Sequence, residues 1–255
     1  MVLNEHYLLF LIGRFLWPFL RITGLFLTAP FFGSSFIPGA VKVLLATVLS
    51  LSLAMWLPDL PPYPMDPISA IFAGFTQIVC GATMGIAMQV IIAVFSSAGE
   101  IIGQVMGLSF AIMPFKAEAS ESSVFSSLLF WPGFLGYIAI GGPIWLFSAL
   151  VGSFAHGAGV LPVSGWINLA LLGNMLFEKA VELSLPIIAV TLCVNLTVGL
   201  MTVFSPSMNL LSIGFPLLIL SGLWVLVAEI PLFSFLIHQI FTACVDTLKT
   251  MFSYG

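Results

Sequence analysis

The chain has 255 residues, 60% of them hydrophobic and only 6% charged, with ten acidic and six basic side chains and a net charge of −4. An average soluble domain is about one quarter charged. With a mean hydropathy of +1.20, this chain cannot cover itself with a water-facing surface, so its surroundings are lipid or other apolar protein. The basic residues are scattered singly, which excludes the clustered positive footprint that nucleic-acid binding requires.

The three cysteines, Cys80, Cys193 and Cys244, lie far apart inside apolar segments and make no C-x-x-C spacing. They read as small buried hydrophobes, with no metal or redox role. Glu5 and His6 precede the first apolar run, and no basic region with a small-residue cleavage site is present. The start of the chain is therefore expected to be a retained membrane segment rather than a signal peptide.

The first segment, about Tyr7 to Ala29, is long enough to span a bilayer. It carries Arg14 and Arg21, seven apart and so on nearly one helix face, with Pro18 between them. An arginine facing acyl chains is costly, so that face is expected to meet protein, water or headgroups, or to snorkel toward an interface. A turn follows at APFFGSSFIPG, Ala29 to Gly39, and a second span at Ala40 to Leu57 with Lys42 near its start. Residues 1–57 thus read as an N-terminal helical hairpin. Residues 58–67, PDLPPYPMDP, hold five prolines, which exclude helix and favour a stiff extended connector.

From Ile68 to Ala111 there is no proline and almost no charge over 44 residues. One straight helix of that length would run about 66 Å, against a hydrocarbon core of roughly 30 Å. It is expected to be either two spans with a tight bend or one helix extending beyond the membrane. Gln77, Gly81, Gly85 and Gln89 recur every fourth residue, as do Gly99, Gly103 and Gly107. Such faces let helix backbones approach closely and let amides bond across the contact. Glu100 and Gln104 lie one position round from the second glycine face. The helical pattern breaks at Met113-Pro114, and Lys116, Glu118 and Glu121 then form the densest charge in the chain. That polar loop, Met113–Ser123, is the leading candidate for the working part.

Val124 to Val151 is apolar but interrupted at Pro132-Gly133 and Gly141-Gly142-Pro143, which suggests a kinked or re-entrant hairpin. His156 to Asn168 reads as loop, with His156 not a metal ligand. Glu178, Lys179 and Glu182 suggest an amphipathic interfacial helix over Leu169–Leu183, followed by an apolar run from Leu185 to Phe204. Phe204 to Pro216 reads as a turn. The last run, Leu217 to Val245, holds Glu229-Ile230-Pro231 at its middle, either a buried functional carboxylate or a water-exposed hairpin turn.

No G-x-x-x-x-G-K-[ST], H-E-x-x-H or G-x-S-x-G motif occurs. Glu118 and Glu121 read as a solvated pair rather than a catalytic dyad. No enzyme, cofactor or metal is expected.

Phe15–Lys42 resembles the opening of the flagellar biosynthetic protein FliR family: Arg21, the turn Ala29-Pro30-Phe31-Phe32-Gly33, Pro38 and Lys42 match its order. AGEIIGQVMGLSFA, Ala98 to Ala111, is similar to the family's central glycine-rich signature. Pro206, Met208-Asn209, Ile213-Gly214-Phe215-Pro216 and Gly222 match its last one. Met113-Pro114 stands where the family commonly has aspartate-proline, and Val203 and Ser207 flank Pro206 in place of an arginine and a glutamine.

The resemblance implies an all-α integral membrane protein whose kinked helical hairpins form one subunit of a hetero-oligomeric helical cone. That cone is the type III secretion export gate of the flagellar basal body, in the bacterial inner membrane. Its implied partners are FliP- and FliQ-like membrane subunits, an FlhB-like subunit, unfolded export substrates and membrane lipid. Residues 68–255 would form the gate hairpins, with a pore plug at about 107–123. Phe110, Met113 and Phe115 would be the apolar plugging residues, Gly107 and Pro114 the hinges, and Lys116 and Glu118 the charged part of the loop. Gly81, Gly85, Gly99, Gly103, Glu100, Gln104, Arg14 and Arg21 would pack helices or contact partners. The alternative is a self-contained proton- or ion-coupled transporter using Glu100 or Glu229.

Overall fold

The computed structural model describes residues 5–33, 37–57, 63–64, 66–107, 124–155, 163–204 and 210–253. Among them the chain is helical throughout and has no strand. The helices are α1 (Glu5–Thr28), α2 (Gly39–Trp56), α3 (Pro67–Val105), α4 (Val124–Ala139), α5 (Gly142–Ala155), α6 (Val163–Phe204) and α7 (Leu210–Ser253). Backbone N–H and C=O groups in lipid must find partners within the segment, and the helix is the single-chain answer. By length and composition, stretches of five helices could cross a membrane: Phe10–Thr28, Gly39–Trp56, Pro67–Val105, Gly165–Phe204 and Gly214–Phe252.

The long proline-free run is one continuous helix, α3, of 39 residues, about 58 Å at the α-helical rise. It starts on Pro67, whose missing N–H costs nothing at a first helical position. It ends where Gly107 takes φ +77 and donates its N–H to the Gln104 carbonyl at 3.0 Å, a left-handed helix stop. The break expected near Gly141 is present: φ there is +79, α4 ends at Ala139 and α5 begins at Gly142. Pro132, by contrast, lies inside α4.

Two expectations are corrected. The segment His156–Asn168 is not loop to its end, because α6 begins at Val163 and runs 42 residues through Pro186, joining the two segments read separately. The Phe204–Pro216 turn is shorter than expected, since α7 is helical from Leu210 and carries both Pro216 and Pro231. A proline removes one N–H and crowds the preceding turn, yet spans tolerate it where neighbours absorb the freed carbonyl. Glu229-Ile230-Pro231 is accordingly helical, not a hairpin turn.

The residues divide into two compact units. One holds Met1–Val90, Gly141–Gly173 and Phe241–Gly255; the other holds Ile91–Ile140 and Asn174–Ile240. In the first unit α1 pairs with α2 and also packs on α3. Gly24 meets the Ile78 backbone, Gly81 the backbone of Arg21 and Leu25, and Gly85 that of Thr28 and Ala29. These pairs rise together, so α1 and the start of α3 are parallel. Phe26 stacks on Phe32 at 4.5 Å, and both rings meet the edge of Phe147 from α5.

The second unit is built on Phe95 of α3. Its ring meets Phe233 of α7 edge-on at 5.4 Å and lies against Gly133 of α4. Gly99 abuts the Phe125–Ser126 backbone, Gly136 lies under Ile237, and Gly222 faces Met106. Both α4 and α7 therefore run antiparallel to this part of α3.

Candidate functional site

The first unit places a cation in its interior. Arg21, 1% exposed, donates from Nε to Gln77 Oε1 at 2.8 Å and from Nη1 to Ser153 Oγ at 2.7 Å. Its guanidinium lies 4.1 Å from the centroid of the Phe154 ring. Ser153 Oγ in turn donates to the Leu150 carbonyl at 2.6 Å. Among the described residues no carboxylate pairs with Arg21. Neutral acceptors and an aromatic face thus hold the charge, and both suit a planar, five-donor group. Three helices, α1, α3 and α5, are tied by this one side chain.

Arg14 has a different setting one face-repeat earlier. It is half-buried, donates to the Leu57 carbonyl at 3.0 Å and lies 5.4 Å from the Phe10 ring centroid, so it ties α1 to the end of α2. Of the four-residue series, Gln77, Gly81 and Gly85 face α1, whereas Gln89 is exposed. Thr28 adds a bond to the Ala82 carbonyl at 2.9 Å across the same contact. Gly99 and Gly103 are buried, and Glu100 and Gln104, one position round, are exposed. Gly107 is the helix stop already described. Phe110, Met113, Pro114, Phe115, Lys116 and Glu118 lie outside the described residues.

Glu229 is 6% exposed, and neither carboxylate oxygen has a hydrogen-bond partner among the described residues. Register places it beside Gly99, since α3 and α7 match Phe95 with Phe233 and Met106 with Gly222. Lys179 and Glu182 form a surface ion pair one turn apart on α6. Cys80 and Cys244 are buried as expected of small hydrophobes, but Cys193 is exposed, which corrects the reading of all three as core residues.

Sequence reasoning missed Ser153 and Phe154, and it missed Gly24, Gly133, Gly136 and Gly222 as close-contact positions. Gly24 carried a usable signal, one turn after Arg21 on a span that needed a tight neighbour. Ser153 carried none, being one hydroxyl in an apolar helix 132 residues from its partner.

Residues 12–244 match the family described as bacterial export proteins, family 1. The chain belongs to that family. The flagellar biosynthetic protein FliR of Escherichia coli (strain K12) is 31% identical over 261 residues, covering 99% of this chain and 97% of the relative. That of Pectobacterium carotovorum subsp. carotovorum is 31% identical, with 93% of this chain and 92% of the relative covered. The FliR protein of Aquifex aeolicus (strain VF5) is 27% identical, with 84% of each chain covered. The matched range takes in a built feature of this chain, the buried Arg21 and the turn that follows α1.

Proposed function

We propose that this chain is a subunit of the flagellar type III protein export apparatus, helping to form and to close the channel through which unfolded proteins leave. The observation that carries the reading is export-family membership over nearly the whole chain, with relatives named for flagellar biosynthesis. The glycine-packed, all-helical, strongly apolar architecture suits a subunit that works by packing against other helices in a membrane. The role is structural rather than enzymatic. FliP-, FliQ- and FlhB-like subunits are the partners the resemblance implies, and the bacterial inner membrane at the flagellar basal body is the location it implies. The relatives' names do not favour the self-contained transporter using Glu100 or Glu229. An in-frame deletion of the gene is expected to abolish swimming and the appearance of filament protein in the medium, with both restored from a plasmid copy. A deletion strain that still exports filament protein would overturn the reading.

In the same reading, α3 ends at Gly107 and delivers residues 108–123 to the axis of the gate. Phe110, Met113 and Phe115 would occlude the pore, and Pro114 with Gly107 would act as hinges. Lys116 and Glu118 would keep the segment soluble when a substrate chain displaces it. A segment held by few contacts opens readily to a competitor for the same space. Removing residues 111–121 from the assembled gate is expected to raise small-molecule leakage into expressing cells. Unchanged leakage would remove the plug role and leave the export role standing.

A further inference from the structure

The second unit encloses an acid with nothing to bond. Glu229 lies within the Gly214–Phe252 stretch of α7 and is 6% exposed. Both its oxygens are enclosed, and neither has a hydrogen-bond partner among the described residues. On the α3 side, the pairs Phe95–Phe233 and Met106–Gly222 set it level with Gly99, which has no side chain to offer and is pressed on the Phe125–Ser126 backbone of α4. On the other, α6 and α7 form a hairpin with Val198 against Gly214. Counting along both helices from that pair brings Leu183 and Ser184 level with Glu229. Both are buried, and the Ser184 hydroxyl donates to the Val181 carbonyl of its own helix.

No described charge of this unit balances the acid. On α3, Glu100 is exposed. On α6, Glu178 is exposed and Lys179 is taken by Glu182 at 2.6 Å. With Gly136 of α4 under Ile237 of α7, Tyr137 and His238 each stand nine residues from the level of Glu229, about 13 Å at the helical rise. An unpaired carboxylate in such a place costs far more as an ion than as the neutral acid, and a group so placed neutralises. A hard metal cation would need several oxygen ligands, and no three His, Cys, Asp or Glu side chains converge among the described residues. A lysine or arginine from a partner would need an open oxygen, and both are enclosed. A proton needs neither.

We propose that Glu229 is a proton-binding site: while α3, α6 and α7 are packed together the carboxyl holds a proton, and parting α7 from α3 at Gly99 releases it to water. Pro231, two residues on, leaves the Val227 carbonyl without its helical donor, so α7 bends most readily beside the acid. Helix separation and proton release are thereby one event. No proton crosses the chain in this scheme, and it stands apart from the export reading.

The test is infrared spectroscopy of the full chain in its native assembly, reconstituted in lipid at neutral pH. A neutral carboxylic acid absorbs above the amide carbonyl band and an ionised carboxylate below it. The difference between the unaltered chain and Glu229→Gln or Glu229→Met is expected to show the neutral band, whereas Glu100→Gln is expected to remove ionised absorption only. Ionised absorption lost with Glu229 would overturn the site. An enclosed acid without a bond gives the fold nothing, so Glu229→Met is expected to match or exceed the unaltered chain in thermal unfolding in a mild detergent. The packed form holds a proton that the opened form gives up, so removing protons favours opening. The unaltered chain is therefore expected to lose stability relative to Glu229→Met as the pH rises above the ordinary glutamate value of about 4.3, the other titrating groups being common to both. A difference that does not change with pH would overturn the link between opening and proton release. Failure of both Glu229 variants to accumulate in the membrane would show that the fold requires the ion, and would overturn the proposal as well.

Discussion

Gly81→Ala is expected to lower the stability of the solubilised chain, while Gly173→Ala raises it. Both glycines lie inside long helices, where alanine gains up to about 1 kcal/mol in helix propensity. At Gly173 nothing lies within 4 Å of the new Cβ, so that gain is realised. At Gly81 the new Cβ would overlap the Arg21 carbonyl and crowd the Leu25 nitrogen, both backbone atoms of α1. Backbone cannot rotate aside, so the helices must separate, and overpacking of this kind costs about 1–3 kcal/mol or more. Gly81→Leu is expected to prevent accumulation in the membrane altogether. Gly24→Ala attacks the same contact from the other side, through the Ile78 carbonyl. Once one alanine has parted the helices the second does less, so the double variant is expected to lose less than the sum of the singles. Thermal unfolding in a mild detergent reads the three single alanine variants and the double. Equal stability of Gly81→Ala and Gly173→Ala would show that α1 and α3 do not approach closely at these glycines.

The close approach was half legible. Glycine at four-residue spacing announces a packing face, and Gly81, Gly85 and Gly99 do sit in helix contacts. What the spacing could not name was the partner. Apolar composition on every side of α3 erases the inside–outside pattern by which an amphipathic helix reveals its buried face. Gln77 and Gln89 look equivalent in sequence, yet one bonds a buried arginine and the other is exposed.

Helix boundaries failed for a related reason. Proline was weighed as it is in water, as a breaker, so α7 was expected only after Pro216, while α6 was divided at Ser184, where a charged stretch gives way to an apolar one. Both helices run through, because lipid gives a freed backbone no better alternative than the next turn. Glycine at positive φ was the reliable punctuation, and Gly107 and Gly141 each end a helix. Arg21 had been singled out as a charge that must meet protein, water or headgroups or else snorkel to an interface, and it meets protein. Its partners Gln77 and Ser153 lie 56 and 132 residues away and could come only from the fold.

Arg21→Ala is expected to destabilise the chain by about 2–5 kcal/mol, the range for truncating a large buried side chain to alanine, since its partners are neutral and no charge is left unpaired. It removes the donor to the Gln77 amide oxygen and the Ser153 hydroxyl and leaves a void beside Phe154. Against a total stability of about 5–15 kcal/mol for an ordinary domain, such a loss would be visible as lower membrane levels. Arg21→Lys keeps the charge but not the geometry, because a point-like ammonium cannot donate along both the Gln77 and Ser153 directions and lie flat on a ring. It is expected to fall between Arg21→Ala and the unaltered protein. Gln77→Leu removes one charge-assisted bond and leaves the guanidinium short of an acceptor, at a cost of about 1.5–3 kcal/mol. The double variant Arg21→Met with Gln77→Leu replaces donor and acceptor together by apolar side chains, and such paired replacement is nearly neutral where the shapes fit. Its loss is therefore expected to be smaller than that of Gln77→Leu alone. Arg14→Met serves as the comparison: that arginine is half-buried and bonds a carbonyl at the end of α2, so about 1 kcal/mol is expected. Strict additivity of the Arg21 and Gln77 losses would show that their 2.8 Å contact contributes no coupling. The join of α1 to α3 would then rest on the glycine contacts and the Thr28 bond to the Ala82 carbonyl.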